Sequence, residues 1–486
     1  MKQILYSVLL VASLFFASCK KNITDINNNP KEPAIVPSSS LFSNASINMA
    51  DVLASTNVNN NVFRLFAQQW AETTYPDETN YDLNGRQITD RWFATLYRDV
   101  IKDLKQASVI LESEKATPPI LTDEVYKNRK AELEILSVFA YYHLVTTFGN
   151  IPYSEAMNID ITQPKYDDAA TVYADLIKRL DDALALITAN EDGYGSADLI
   201  LKGNMGSWKI FGNSLKMRMG MLIADSEPAK AAAIVSAAAP NVVSSNSENL
   251  KINFLSSPPN TNPLWEDLVQ SGRYDFVGAN SLVDKMNSLN DPRVPLYFEK
   301  DGSGQYSGGV YGSANTYDNF SAPSATVSKP DYPETFFSYA EMEFLKAEAV
   351  ERGIAVGGTA EEHYNNAIDA SIQEWGGTAA DALTYRSQPS VKYTTAVGTY
   401  KQKIGIQSWI ALYNRGYDAW TQWRRLDYPQ LLPPPDGLFA NEETPGVPTR
   451  YTYPVVEQNL NKVNYTAAAA AIGKDQITQK LWFDKF

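Results

Sequence analysis

Ser338-Tyr-Ala-Glu341-Met-Glu-Phe-Leu-Lys-Ala-Glu348-Ala-Val-Glu-Arg352 is followed by Gly353-Ile-Ala-Val-Gly-Gly358. After Thr359 comes Ala360-Glu-Glu-His-Tyr364-Asn-Asn-Ala367-Ile-Asp-Ala-Ser-Ile-Gln-Glu-Trp375. The first and last of these runs read as helices, and the glycine-bounded run between them reads as a turn. Helix, short turn and helix in about 36 residues is the size of one helical-repeat unit. Ala347, Tyr364 and Ala367 are its expected packing positions.

The pattern recurs along the chain. Leu133, Leu136, Ala140, Leu144 and Phe148 form one apolar stripe, while Ile135, Phe139 and Tyr142 form a second. A helix apolar on two sides packs between layers, as in stacked repeats. Gly149 and Pro152 end it. Asp167 or Asp168 caps the next helix, which runs to about Ile187 with Val172, Leu176, Leu180, Ala183 and Leu184 in register. Another spans about Ser207 to Ala224, and a last helical stretch covers about Lys401 to Trp423. The expected fold is mainly α, a tetratricopeptide-like helical-repeat scaffold with long irregular loops forming the ligand face. Ser256 to Thr335 supplies most of those loops. It holds eight prolines and a glycine-rich stretch from Gly302 to Gly312, and it reads as irregular chain with a short hairpin at most. Loops on a rigid scaffold are the usual place for binding.

The 486 residues carry 42 Lys plus Arg against 56 Asp plus Glu, a formal net charge of −14. Nucleic acid needs a basic surface, so it is excluded as the main partner. The single cysteine, Cys19, permits no intrachain disulfide and no cysteine metal cluster. With only His143 and His363 besides, no metal site and no cofactor are expected. No GxSxG, HExxH or P-loop is present. Gly302-Ser-Gly304-Gln-Tyr-Ser307 lacks the last glycine of GxGxxG, and Asp82-Leu-Asn84-Gly85 has the wrong spacing for a calcium loop. No catalytic residue is assigned. His143 is expected to be a core histidine, and Trp92, Trp420 and Trp423 to be core as well.

The amino-terminal residues read as an address. Lys2 precedes an apolar run from Ile4 to Ala17 that is too short for a comfortable span and fits a signal h-region. It ends Phe16-Ala17-Ser18-Cys19, which resembles a bacterial lipobox with Phe16 in place of the usual Leu. Residues 1–18 are read as a lipoprotein signal peptide, Cys19 as the lipidation site, and residues 19–38 as a lipid-anchored tether containing Pro30, Pro33 and Pro37. Residues 39–486 are read as one body: 39–255 an N-terminal helical part, 256–335 the loop-rich ligand region and 336–486 a C-terminal helical part.

Six stretches behind that lipobox carry a resemblance. They are Ala140-Tyr-Tyr-His-Leu-Val-Thr-Thr-Phe-Gly149-Asn-Ile-Pro152, Trp208-Lys-Ile-Phe-Gly-Asn213-Ser-Leu-Lys-Met-Arg218, Asp291-Pro-Arg293, the Tyr339–Gly353 run, Trp420-Thr-Gln-Trp423-Arg-Arg425-Leu-Asp-Tyr-Pro429, and Leu481-Trp482-Phe-Asp484. In this order they resemble the SusD/RagB family of Bacteroidetes outer-membrane lipoproteins, in its starch-binding-associated branch. The resemblance implies four tetratricopeptide-like helix pairs. It implies a SusC-like TonB-dependent β-barrel partner on which the lipoprotein sits as a lid, at the cell surface. It also implies non-enzymatic capture of a nutrient, usually an oligosaccharide and in some members a peptide. Lys20 and Lys21 stand where surface-exported members often carry acids. Glu341, Glu348 and Arg352 are expected to pair within their helix or with Arg424 or Arg425.

Ligand candidates are loop residues that pair an aromatic face with a hydrogen-bonding edge. From Trp70 to Trp92 they are Tyr75, Asn80, Tyr81 and Arg86, with Asn84. From Trp265 to Phe320 they are Trp265, Arg273, Tyr274, Tyr306, Tyr311 and Tyr317, with Gln270 and Asn319. A peptide-binding member of the same machinery, a surface glycoside hydrolase and a purely structural lid are the competing readings.

Overall fold

The computed structural model describes residues 36–434 and 446–486. The signal peptide, Cys19 and nearly all of the tether lie outside the described residues, as does the middle of the proline-rich stretch from Leu431 to Tyr453. Ser38–Phe486 folds as one unit.

The helices of ten residues or more among the described residues are α1 (Ser38–Ala54), α2 (Lys102–Glu114), α3 (Asp123–Phe148), α4 (Ala169–Leu186), α5 (Met205–Leu222), α6 (Pro228–Ala238), α7 (Tyr339–Glu351), α8 (Ala360–Glu374), α9 (Tyr400–Ala411), α10 (Gly416–Leu426) and α11 (Lys462–Ala471). Four sequence-adjacent pairs, α3–α4, α5–α6, α7–α8 and α9–α10, pack helix on helix. The mainly helical architecture read from periodicity is the observed one.

Local chemistry sets the helix ends. Asp168 caps α4 by accepting from the Thr171 N–H at 2.9 Å, and Asn204 caps α5 from Ser207 at 3.0 Å. Thr359 and Glu362 form a reciprocal capping box on α8. Gly149 ends α3 at a φ of 86°, a conformation a side chain would strain. The two stripes of α3 become a helix buried all round, with every residue from Ile135 to Phe148 buried. Each such large apolar side chain contributes roughly 1.5–3 kcal/mol of burial.

Two expectations are corrected. The helical stretch from Lys401 to Trp423 is not continuous but a pair, α9 and α10. Asn414 turns left-handed at a φ of 66°, and a Cβ on Gly416 would stand 2.4 Å from the Arg64 backbone nitrogen. The chain must break there to bring α10 against Arg64. Ser256 to Thr335 is also more ordered than its prolines suggest. Its strand Phe276–Gly278 pairs not in a local hairpin but with Trp70–Glu72, just over two hundred positions earlier, and Leu250–Ile252 pairs with Glu334–Phe337.

The helix pairs are joined by buried charges. Arg218 of α5 grips Glu341 of α7 with both ends of its guanidinium, at 2.7 and 2.8 Å, and meets Asp418 of α10 at 3.2 Å. Arg415, just before α10, binds the same Glu341 at 2.6 Å and also pairs with Asp418. Burial works against the charge on Arg218, yet Asp418 and Glu341 more than offset it and its pKa rises. A second chain runs Asp225–Arg352–Glu348–Arg425, with Arg352 2.6 Å from Asp225 and 2.7 Å from Glu348, so the expected i,i+4 pair is present. Arg425 takes Glu348, whereas Arg424 lies over the Trp420 ring and donates to the Thr146 and Thr449 carbonyls. Asp291-Pro-Arg293 forms a third node. Its fully buried Arg293–Asp291 pair reaches Ser371 of α8 and Gln407 of α9.

Two predictions follow from this interior. Glu341→Gln keeps the shape but leaves Arg218 and Arg415 facing Asp418 alone. Its cost is about 3–5 kcal/mol, the usual penalty for orphaning a buried charge, and urea unfolding measures it. His143, held in the core with Nδ1 2.8 Å from the Phe139 carbonyl, has its pKa pushed down to about 3 by burial. The unfolded chain therefore takes up this proton first as pH falls. The stability is complete above about pH 6.5 and is lost toward pH 3, with a slope of up to about 1.4 kcal/mol per pH unit. In His143→Phe that slope, read from unfolding midpoints between about pH 6 and pH 4, is shallower by about one proton.

Candidate ligand-binding face

The pairing of Trp70–Glu72 with Phe276–Gly278 sets Trp70 opposite Gly278, Ala71 opposite Val277 and Glu72 opposite Phe276. Thr73 extends it, its N–H donating to the Asp275 carbonyl at 2.9 Å and its hydroxyl to the Tyr274 carbonyl. The two candidate stretches, far apart in sequence, thus become one face. Arg64 holds the neighbouring turn, donating to the carbonyls of Ala54 and Ser55 and, at 2.8 Å, to Asn414 before α10.

Between these strands and the turn after α1 lies a cavity of about 240 Å³. Tyr75, Arg86 and Arg273 line it, together with Asn57, Asn59, Glu72, Glu78, Asp267 and Asp275. Tyr75 is 67% exposed and held at a left-handed φ of 53°, uncommon for an aromatic residue. Next to Arg273, Tyr274 is 64% exposed, and its ring lies 4.7 Å from that of Tyr317 at 48°. The face therefore offers open rings beside amides, carboxyls and guanidinium groups.

The remaining candidates sit elsewhere. Asn80, Tyr81 and Tyr311 are buried. Asn80 donates to the carbonyls of Pro76 and Gly312, the Tyr311 hydroxyl donates to the Leu65 carbonyl at 2.8 Å, and Tyr81 packs between Phe66 and Tyr311. These three build the underside of the face, which corrects the expectation that they form its surface. Trp265 and Tyr306 are half-buried and do not line the cavity. Trp92 and Trp420 are fully buried core residues, as expected, and Trp423 is half-buried.

Sequence reasoning missed Asn57, Asn59, Glu72, Glu78, Asp267 and Asp275. The one signal for them was the amide-rich run Asn57-Val-Asn-Asn-Asn61 at the end of the first helix. The electrostatics are dense. Arg86 pairs with Glu78 and Arg273 with Asp275. Burial, then Glu266, pushes Asp267 up to about 6, and the same two causes push Asp51 behind it up to about 7. Neither histidine is here. His143 is in the core, and His363 sits on α8 with Nδ1 2.8 Å from Glu343. Among the described residues no group of His, Cys, Asp or Glu is placed to hold a metal ion.

A larger cavity, about 570 Å³, opens between α2, α3 and α4 beside Tyr141, Tyr153 and Arg179. Its central guanidinium is already occupied by Glu134, Ser137 and Tyr153. The smaller cavity has the more accessible aromatic ring, Tyr75, and it is the better candidate.

Comparison with known proteins agrees with this architecture. Residues 28–454 match the SusD-like family model described as starch-binding associating with outer membrane. A solved chitin-binding protein superposes with a TM-score of 0.78 at 24% identity, covering 92% of this chain and 100% of its own. A SusD homolog from Bacteroides uniformis gives 0.78 at 23% identity, covering 92% and 99%. A chitin-binding SusD homolog from Flavobacterium johnsoniae gives 0.77 at 24%, covering 92% and 98%. At such identities these likenesses establish the fold. No curated protein matches the chain. The family model spans most of the sequence and the fold agrees, so the chain belongs to the SusD-like family of starch-binding, outer-membrane-associated proteins.

Proposed function

We propose that this protein captures oligosaccharide at the outer-membrane surface and delivers it, uncut, to a TonB-dependent β-barrel transporter. The observation that supports the reading is the strand pairing beside which Tyr75 lines a cavity with Arg86, Arg273, Asn57 and Asn59, while Tyr274, next to Arg273, stands exposed against Tyr317. Sugar rings present C–H faces to aromatic rings and hydroxyls to amides and charged groups. The family is associated with the outer membrane, and two structural relatives are named as chitin-binding. Among the described residues no helix is long and apolar enough to cross a membrane. In this reading acylation of Cys19 supplies the attachment, each buried acyl CH₂ contributing roughly 0.8 kcal/mol.

Single contacts of this kind are weak, so the binder works through several sugar units and through its transporter. Titration calorimetry against a panel of glycans and peptides tests the ligand class. Binding of peptides alone would refute the oligosaccharide reading, and new reducing ends released from a bound glycan would refute the non-enzymatic one.

Four outcomes are expected. Tyr274→Ala weakens glycan binding by roughly 1 kcal/mol, about fivefold, with an unchanged melting temperature. Tyr311→Ala instead lowers the melting temperature, because its ring and hydroxyl belong to the underside. Cys19→Ser shifts the protein from the membrane fraction to the soluble fraction. In the wild type, affinity isolation from membranes recovers a large β-barrel.

A further inference from the structure

The larger cavity is a groove with a chemistry unlike that of the first. Lys130, Leu133, Glu134, Ser137 and Tyr141 recur at helical spacing and give it one face of α3, about 16 Å long. Leu104, Lys105 and Ser108 of α2 line one side, and Arg179, Ala183 and Leu186 of α4 line the other. The loop after α3 closes the Tyr141 end, where the Tyr153 ring lies 4.9 Å from that of Tyr141. Leu104, Leu133, Ala183 and Leu186 make an apolar strip along the groove.

Its polar groups fall into two sets. The acids are engaged: Glu134 takes the Arg179 guanidinium, Asp175 accepts from the Tyr153 hydroxyl, and Asp182 pairs with Lys178. Arg179 is engaged as well, by Glu134, Tyr153 and Ser137. The groups without such partners are donors. Tyr141 is only 5% exposed, yet its hydroxyl makes no hydrogen bond among the described residues. Burial pushes its pKa up to about 12, so it keeps its proton. The side chains of Lys105 and Ser108 have no polar partner among the described residues, and Lys130 stands 3.7 Å from Glu112 with both exposed. The groove is therefore short of acceptors and of one negative charge.

We propose that this groove docks an acidic, apolar segment of a partner protein, laid in extended form along α3. Its apolar side chains cover Leu104, Leu133 and Leu186. One of its backbone carbonyls accepts from the Tyr141 hydroxyl, and a carboxylate takes Lys105 and Lys130. At about 3.3 Å per residue, about five residues fill the length. The chemistry selects this occupant. A sugar leaves the apolar strip uncovered. A fatty acid covers the strip and meets the lysines but brings no acceptor to Tyr141. A free oligopeptide brings an amino-terminal ammonium, and the acids of the lining are already engaged. A segment of a longer chain supplies acceptors and apolar side chains without that ammonium.

Titration calorimetry on the full-length protein tests the proposal. The probes are the acetylated pentapeptide Leu-Ala-Val-Leu-Glu, the same peptide with a free amino terminus, its counterpart ending in Gln carboxamide, and dodecanoate. The acetylated acidic peptide is expected to bind at least about fivefold more tightly than each of the others, and to lose affinity as salt rises. Lys105→Glu combined with Lys130→Glu is expected to weaken it at least about tenfold. Tyr141→Phe is expected to weaken it about fivefold with an unchanged melting temperature, because the lost hydroxyl bonds nothing in the protein. No binding of the acetylated peptide, binding that these variants leave unchanged, or tighter binding of dodecanoate or of the free-amine peptide overturns the proposal. Glycan capture at the smaller cavity stands or falls separately from each of these results.

Discussion

Glu341 is the residue on which the helical stack turns. It sits on the third helix pair, and it is gripped by Arg218 from the second pair and by Arg415 between the two helices of the fourth. Asp418 closes the ring. Buried ion pairs contribute little net stability, because desolvation consumes most of the attraction. What they add is selectivity of arrangement. Apolar stripes slide past one another at small cost, whereas a two-pronged guanidinium–carboxylate contact is satisfied in one register. The Asp225–Arg352–Glu348–Arg425 chain and the Arg293–Asp291 node repeat the device at other seams. In this chain the hydrophobic effect gathers the helices, and the charges decide how they are ordered.

The scaffold makes the face possible by bringing distant segments into contact. A three-residue strand is too short to be stable alone. Trp70–Glu72 and Phe276–Gly278 persist because Trp70 is buried, with its indole N–H 3.1 Å from the Tyr413 hydroxyl, and because Arg64 fixes the turn before it. The cavity chemistry follows from that anchoring. Carboxyls that would be ordinary in solvent are crowded behind the strand, where burial makes each proton and each donor count.

Helices, caps and most core aromatics were legible in the sequence, because period and capping are local signals. Gly149 and the Glu348–Arg352 pair could be read directly, and the cap of α4 was narrowed to Asp167 or Asp168, of which Asp168 serves. The break at Asn414 could not, since its cause is the approach of Arg64, 350 residues away. The same limit applied to the face. Tyr75 and Tyr274, named as loop ligand candidates, are exposed. Tyr81 and Tyr311 also lie in turn-forming sequence, yet they are buried, packed on each other with Phe66 against Tyr81. Glu72 and Glu78 carried no motif, and it is a local turn, with Glu72 accepting from the Thr79 N–H and hydroxyl, that brings them to the cavity.

The Arg64 bolt has a mechanical corollary. It fastens the turn after α1 to the segment that opens α10, and Gly416 packs directly on its backbone. The face is thus not a flap with a hinge of its own. Torque applied to a ligand seated there passes straight into the helical stack, and the stack answers as a single lever.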